Sequence, residues 1–461
     1  MNKNQPWKRR DVLKSLGATA IGVPLASSAI GENTQNNLAI PFNNKAKLQV
    51  KEPVKVIVIG AGSRGWDAYS SYGLKFPEEL QVVGVAEPIP YRRERISKAF
   101  NIPEENQFIT WEHVFEVPKF ADALFITTPD ELHYGPAMAG LEMGYHLLLE
   151  KVIAQTWEEC NDILKLTEKS NAIVAVCHVL RYNAYFRHLK ELISSGETGE
   201  LVSVQHLEPV EHIHMSHSFV RGNWGNTKKS NPMILSKSCH DTDILRWIID
   251  KPCTRVSSFG SLKLFRKEMA PEGSTDRCTQ GCKVERKCPF SAKKIYLEGR
   301  GWLQHLKLEE VNDTTILREL NKGPYGRCVY RCDNDVVDHQ VSNFEFEGGI
   351  TASFSMEALS SYAGRRTRIF GTEGDIVGDE RTLTLTRFAS GKQTTWDASK
   401  HTLGSGHGGG DHGLVHDFVR AVALQKPELL SSTIQVSMAS HLMGFQAEKS
   451  RHNGTVENVG M

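Results

Sequence analysis

Val54-Lys55-Val56-Ile57-Val58-Ile59-Gly60-Ala61-Gly62-Ser63-Arg64-Gly65 is the stretch on which the fold turns. Its first half is a short β-branched run of the kind that forms a strand buried on both faces of a parallel sheet. Its second half reads G-x-G-x-x-G, and Trp66 to Leu74 behind it can form a helix. The glycines have separate tasks in a dinucleotide-binding turn. Gly60 makes the tight bend, Gly62 lets the backbone approach a pyrophosphate, and Gly65 lets helix and strand pack closely. The helix start, with Ser63 and Arg64 in the turn ahead of it, offers free N–H groups and a partial positive charge to the phosphates.

A lone glycine motif is weak evidence, but its sequence context here is strong. Leu80 to Ala86 reads as a second strand and ends on Glu87, the place of an acid that holds ribose hydroxyls. Its charge would repel a 2′-phosphate, which favours NAD; Arg92 and Arg93 keep NADP as the lesser option. Arg92 to Phe100, His133 to Met143 and Thr156 to Ser170 read as helices. Ala123 to Ile126, His146 to Leu149 and Ile173 to Cys177 read as strands between and after them. Such alternation implies right-handed crossovers and an α/β Rossmann domain with a parallel sheet over residues 52–178. Ligands bind at the carboxyl ends of such strands. Thr128, Pro129 and His133 follow one end, and Glu150 and Lys151 follow another, which places Lys151 beside the nicotinamide. Arg181 and Tyr182, just past the last strand, are candidate substrate-cleft residues.

Beyond 179 the rhythm changes. Leu201 to Leu207, Arg255 to Phe265, Asn343 to Glu347, Ile350 to Ser355, Arg368 to Phe370 and Leu383 to Thr386 are strand-like without regular helices between them. That predicts an α+β domain over 179–461 with an open, mostly antiparallel sheet. An open sheet makes a homo-oligomer, dimer or tetramer, the expectation.

A chain of 461 residues suggests two or three domains. Its 55 Lys and Arg against 54 Asp and Glu give no electrostatic reason to expect a nucleic-acid partner. No run reaches the ~18 apolar residues of a membrane span. The start reads differently from the rest: Arg9-Arg10 precede an apolar stretch that ends in Ala26-Ser-Ser-Ala29. Residues 1–30 are thus predicted to be a twin-arginine signal peptide and 31–51 a linker, with a periplasmic destination. Little free NAD is available there, so a cofactor exported within the folded protein would stay bound and be regenerated in each cycle.

These residues, with Cys239-His240-Asp241-Thr242-Asp243 and Ser195-Gly-Glu-Thr-Gly199, resemble the Gfo/Idh/MocA family of glucose–fructose oxidoreductase, inositol dehydrogenase and MocA-like proteins. The resemblance spans roughly Val54 to Glu448. It implies a Rossmann domain followed by an α+β domain, NAD as cofactor, a small carbohydrate as substrate, and catalysis by Lys151 and His240. Two positions depart from the family pattern. Val152 stands where the family has proline after Glu-Lys, and Ser236 where it often has aspartate four residues before the histidine.

A neutral His240 suits the role of base for a secondary alcohol, and Lys151 that of donor to the developing alkoxide. Asp243 would orient this pair or bind a hydroxyl, and Lys237 could replace the missing carboxylate in the proton path. Glu208, His212, His214 and His217, leading to Trp224, read as a cleft loop, with His214 and Trp224 expected at the substrate; a metal there is the lesser reading. The chemistry expected is hydride exchange between a sugar or polyol and a tightly bound nicotinamide. The near alternative is a redox-neutral glycosidase or lyase working through a transient keto-sugar, and a non-enzymatic sensor on the same fold stays open.

Five of the nine cysteines, Cys278, Cys282, Cys288, Cys328 and Cys332, fall within an insertion near 266–335. The spacings match no standard zinc finger; disulfides, zinc and, more remotely, iron–sulfur ligation all stay open, so the metal content is left unassigned.

Overall fold

The computed structural model describes residues 52–306, 308–401 and 406–460. The predicted signal peptide and linker lie outside the described residues. Strand β1 (Val54–Ile59) is central to the first sheet because its side chains alternate between two apolar cores. Val56 and Val58 enter one core, and Ile57 and Ile59 enter the other. Around it stand β2 (Leu80–Ala86), β3 (Gln107–Phe108), β4 (Ala123–Ile126), β5 (His146–Leu149) and β6 (Val174–Val176). All pairings are parallel, in the order β3-β2-β1-β4-β5-β6. The order reverses between β1 and β4, so a crevice opens at their carboxyl ends, just past Ile59 and Ile126. The helix Trp157–Ser170 starts where its sequence says it should: Thr156 and Glu159 form a reciprocal capping box. The helix after the glycine turn starts earlier than expected, at Ser63, running as a wide turn to Ser70 and on through Lys75.

The second sheet has nine strands: β7 (Leu201–Pro209), β8 (Cys253–Ser261), β9 (His339–Phe346), β10 (Thr351–Glu357), β11 (Arg366–Gly371), β12 (Gly374–Gly378), β13 (Thr382–Arg387), β14 (Gln393–Asp397) and β15 (Glu457–Asn458). Their order is β14-β13-β12-β11-β7-β10-β9-β8-β15, and only β7 and β10 pair in parallel. One face is covered: Ala352, Phe354 and Met356 are buried, while Thr351, Ser353 and Ser355 alternate outward.

Two late helices tie the sheets together. Gly410–Leu424 packs on the first sheet, where Leu414, Val415 and Phe418 share a core with Val56, Val58 and Phe125. Ile434–Asn453 bridges both halves. Its Ile434 and Met438 join the core of Ile57 and Ile59, and its Leu442, Met443 and Ala447 join that of the second sheet. The segment between β8 and β9 has a small core of its own around Tyr296, Ile316 and Leu320. Among the described residues no helix is long and apolar enough to cross a membrane.

Candidate active site

The glycine turn has the shape of a phosphate cradle. A Cβ on Gly65 would stand 2.1 Å from the Gly60 carbonyl oxygen and 2.6 Å from Thr127 Oγ1. On Gly60, at φ +93°, it would meet the Thr127 carbonyl oxygen at 2.8 Å. Gly62 differs, since the nearest atom to a Cβ there is Arg92 Nη1 at 3.6 Å. Space therefore remains over the Gly62 backbone, at the mouth of the helix, as a pyrophosphate requires. Glu87 is buried at the end of β2, accepting from the Ala61 N–H (2.8 Å) and the Ile89 N–H (3.0 Å). One bond to each oxygen leaves further lone pairs for ribose hydroxyls. Arg93 donates to the Glu87 carbonyl oxygen, whereas Arg92 stays beside the turn. The residues present fit NAD.

Arg64, expected at the phosphates, directs its guanidinium inward. Nε donates to Glu150 Oε1 at 2.5 Å and Nη2 to Asp411 Oδ1 at 3.0 Å. Tyr69 OH donates to the same Glu150 oxygen at 2.6 Å, and His407 Nδ1 lies 3.0 Å from Asp411 Oδ1. Burial pushes the Glu150 carboxyl up, but the charges of Arg64 and Lys151 hold it below its usual value. Glu150 also accepts from the Lys151 N–H at 3.0 Å. His133, expected at the cofactor, ties two site turns together: its Nδ1 lies 2.6 Å from the Val152 carbonyl oxygen and its Nε2 3.0 Å from that of Thr128. Thr128, ahead of Pro129, turns its hydroxyl to the Leu132 carbonyl oxygen. The Lys151–Val152 peptide is cis.

Lys151 and His240 come together across the two halves. Lys151 Nζ donates to the Ser236 carbonyl oxygen at 2.6 Å, one turn before the helix Cys239–Ile249 that carries His240. The ammonium also lies 5.7 Å from the centre of the Trp224 ring. That ring is fixed by its Nε1–H donating to Asp130 Oδ1 at 3.0 Å, and Asn231 donates to the other Asp130 oxygen. His240 is buried and its Nδ1 makes no hydrogen bond. Burial lowers its pKa well below the usual value, and the charge of Lys151 is the next largest cause. Its ring is therefore neutral and an acceptor. His178 stands between this ring and Asp243, 6.1 Å from His240 centre to centre and 3.7 Å from Asp243 Oδ1. Burial brings the His178 pKa down to about 4.

Three expected substrate residues turn out to be internal. Arg181 and Asp243 form a buried two-point pair, Nε to Oδ2 at 2.7 Å and Nη2 to Oδ1 at 2.8 Å. Arg181 Nη1 donates to the Ser431 carbonyl oxygen, and Ser440 donates to Asp243. Tyr182 is buried with its hydroxyl 2.9 Å from Ser432 Oγ. Their polar atoms are used inside the protein, so they set the junction of the two halves rather than face a ligand. His214 lies in an aromatic group with Trp302 (5.0 Å) and Phe219 (5.7 Å). Its neighbour His217 is held between Trp302 and Tyr325, with Nδ1 2.7 Å from Tyr296 OH. Lys237 pairs with Glu208 at 3.1 Å, within a buried group that includes Arg365, Asp241 and His206.

Sequence reasoning passed over Tyr69, His178, Asp130 and His441. His178 had a usable signal, since it follows the carboxyl end of β6. His441 had none: it lies mid-helix and accepts the Ile153 N–H from 288 residues away.

Comparison with known proteins agrees with this fold. YteT of Bacillus subtilis (strain 168), a protein named as an oxidoreductase, is 24% identical over 396 residues, covering 82% of this chain and 91% of that protein. The scyllo-inositol 2-dehydrogenase (NAD+) of the same organism is 24% identical over 221 residues, 46% of this chain and 59% of that one. A levoglucosan dehydrogenase solved with NADH and L-sorbose matches with a TM-score of 0.66 at 18% identity, over 89% of this chain and 100% of its own. An inositol dehydrogenase homologue from Azotobacter vinelandii, solved with NAD+, gives 0.63 at 14%, over 89% and 98%. Residues 54–178 match the model of the oxidoreductase family's NAD-binding Rossmann fold, and residues 190–457 match that of its C-terminal alpha/beta domain. With both halves matched in order, the chain belongs to the Gfo/Idh/MocA family and is an NAD-binding oxidoreductase.

Proposed function

We propose that this enzyme oxidises a secondary alcohol of a sugar or polyol and keeps its cofactor through the cycle. The observation that carries the reading is Lys151, at the carboxyl end of β5, bonded to the Ser236 carbonyl just before the helix of His240 and acting with its charge on that buried ring. NAD, when bound, supplies the hydride acceptor. Lys151 Nζ exchanges the Ser236 carbonyl for the substrate hydroxyl and stabilises charge on that oxygen as its proton leaves. His240 takes the proton on a ring nitrogen. Because burial and Lys151 disfavour its charged form, it holds that proton only briefly, which suits a reversible step. Trp224 offers an apolar ring face for the C–H surface of a carbohydrate beside the ammonium.

Protein purified without added nucleotide should yield near-stoichiometric NAD on acid extraction after dialysis. It should then interconvert members of a polyol and sugar panel with no nicotinamide supplied. NAD lost on dialysis would refute retention. Release of aglycone from aryl glycosides, without net change in nicotinamide absorbance, would replace the oxidoreductase reading with glycoside cleavage.

Two expectations join this proposal. Export by the twin-arginine route should fail when Arg9→Lys and Arg10→Lys are combined, and unchanged export would refute it. Self-association through the open face of the second sheet is supported by Phe259 and Val341, apolar, exposed and directly opposed across β8 and β9. A monomer in sedimentation velocity would refute it.

A further inference from the structure

His407 is an exposed histidine beside the site that the proposed cycle leaves unused. It stands at φ 53°, in the left-handed region, and Gly408 and Gly409 follow at 60° and 91°. Three such residues in a row lead into the helix Gly410–Leu424. A residue other than glycine held in this region carries strain, and such positions gather at active sites. Asn183 helps to fix the turn, its side-chain amide donating to the His407 carbonyl oxygen at 2.8 Å. The ring so placed lies near two different groups. Its Nδ1 is 3.0 Å from Asp411 Oδ1, and its centre is 6.0 Å from that of the His240 ring.

Asp411 sets the tautomer of this ring. Burial pushes its carboxyl up, but Arg64 first and then His407 hold it below its usual value. An ionised carboxylate only accepts, so Nδ1 of His407 carries the hydrogen and Nε2 is left as the basic atom. Arg64 Nη2 donates to the same Asp411 oxygen at 3.0 Å and keeps the carboxylate from turning away. A carboxylate that orients an imidazole in this way is a common support for acid–base work. The His407 side chain is 39% exposed and that of Asp411 only 3%. The pair is thus anchored inside the protein and meets water at the ring.

Oxidation of an alcohol creates a need for such a group. The C–H bond breaks with its electron pair, which leaves as hydride, and the O–H bond breaks to free one proton. His240 would receive that proton, yet burial first and then the charge of Lys151 lower its pKa well below the usual value. Lys151, His407, Arg365 and His178 all act on His240 with their charges. Arg365 and His178 are buried, and the Lys151 ammonium is bonded to the Ser236 carbonyl. Of these four, His407 is the one with an exposed side chain. We propose that His407, paired with Asp411, is the proton outlet of the site: His240 hands the alcohol proton to His407 Nε2, and the exposed ring hands it to water or buffer. The inference rests on the oxidoreductase reading above. Ring centres 6.0 Å apart are bridged by one water molecule. No electrons move in this step, and the proton returns by the same route when a ketone is reduced.

The test uses His407→Asn, which tolerates the left-handed backbone but cannot carry a proton. Full-length protein with NAD bound is mixed with alcohols of the polyol and sugar panel, beginning with myo-inositol. Nicotinamide absorbance is followed in dilute buffer and in rising imidazole. The wild-type rate should ignore imidazole. The variant should be ~10²-fold slower in dilute buffer and recover as imidazole replaces the missing ring. A variant as fast as the wild type in dilute buffer would overturn the proposal. So would one slowed equally at every imidazole concentration, as a merely structural role predicts. Nitrogen NMR of protein labelled in its histidines gives a second readout, with the His407 signals identified by their loss in the variant or in His407→Gln. At a pH where the ring is neutral the proton should sit on Nδ1, and a proton on Nε2 would overturn the proposal whatever the substrate. Wild-type protein that reduces its NAD with no alcohol of the panel would refute the oxidoreductase reading instead, and the tautomer would then decide the His407–Asp411 pair alone.

Discussion

Adding one methyl group at Gly62 or at Gly65 should separate binding of the dinucleotide from stability of the turn that binds it. At Gly65 the new carbon would lie 2.1 Å from the Gly60 carbonyl oxygen and 3.1 Å from Val58 Cγ1. Neither neighbour can retreat, because Gly60 is itself pinned against Thr127 and Val58 is in the core. Overpacking of this kind costs ~1–3 kcal/mol. The helix preference of alanine returns up to ~1 kcal/mol. A net loss of about 2 kcal/mol is therefore expected for Gly65→Ala, read as a lowered midpoint in urea. Gly62 has φ −74° and ψ −161°, a conformation alanine adopts freely, and no atom closer than 3.6 Å to the new carbon. Gly62→Ala should thus fold with unchanged or slightly higher stability. Its methyl, however, stands where the phosphates approach. Losing one hydrogen bond to a charged group costs ~1.5–3 kcal/mol, which weakens NAD by about 10- to 150-fold. Equilibrium binding of NAD to cofactor-stripped protein measures this. If Gly62→Ala binds NAD as the wild type does, the phosphates do not pass over Gly62 and the cradle reading fails.

Lys151→Met should lower kcat by ~10²–10⁴ while the protein keeps its bound NAD, and loss of NAD in step with activity would make Lys151 a cofactor residue only. Arg181→Met strands the buried Asp243 carboxylate and should cost ~3–5 kcal/mol in urea unfolding, with Asp243→Leu in the same chain restoring much of it. An unfolding free energy unchanged by Arg181→Met would contradict the internal role given to that pair. Acid should destabilise the fold through its buried histidines. The His178 pKa is lowered to about 4 and that of His441 to about 3, both first by burial. Below the ordinary histidine value near 6.5 the unfolded chain takes up protons that the folded chain refuses. Stability is thus full above that pH and falls by ~1.4 kcal/mol per pH unit for each ring as pH drops toward their folded values. Urea unfolding at pH 7 and pH 5 checks this, and equal midpoints would refute it.

The first sheet was legible in the sequence because its signals are local. β2, β4 and β5 begin and end where the apolar runs do, and the second glycine motif residue, Gly62, has open space above it as its role requires. β12 and β14 escaped notice for physical reasons. Gly374–Gly378 is short and bounded by glycines, and Gln393–Asp397 is an edge strand without a buried alternation. Lys151 and His240 could be named as candidates from motif context, but the burial of Arg181, Tyr182 and Asp243 could not be read there. Their types suit a sugar cleft equally well as a buried junction. What decides is a partner far along the chain: Asp243 for Arg181 at a separation of 62 residues, and Ser432 for Tyr182 at 250.

The same long-range pairing bears on the proposed retention of the cofactor. Arg64 belongs to the glycine turn, Glu150 precedes Lys151, and Asp411 opens a helix that packs on the first sheet from the far end of the chain. One guanidinium joins all three. The carboxylates of Glu150 and Asp411 are almost wholly buried, so withdrawing Arg64 would leave two uncompensated charges. His407, on Asp411, lies 6.0 Å from His240 between ring centres, which carries the connection to the proposed base. Opening the phosphate turn enough to exchange a dinucleotide would disturb this pairing. Under the proposed cycle a turn so anchored would stay closed between turnovers, and regeneration of the cofactor in place would then be favoured over exchange for a fresh molecule.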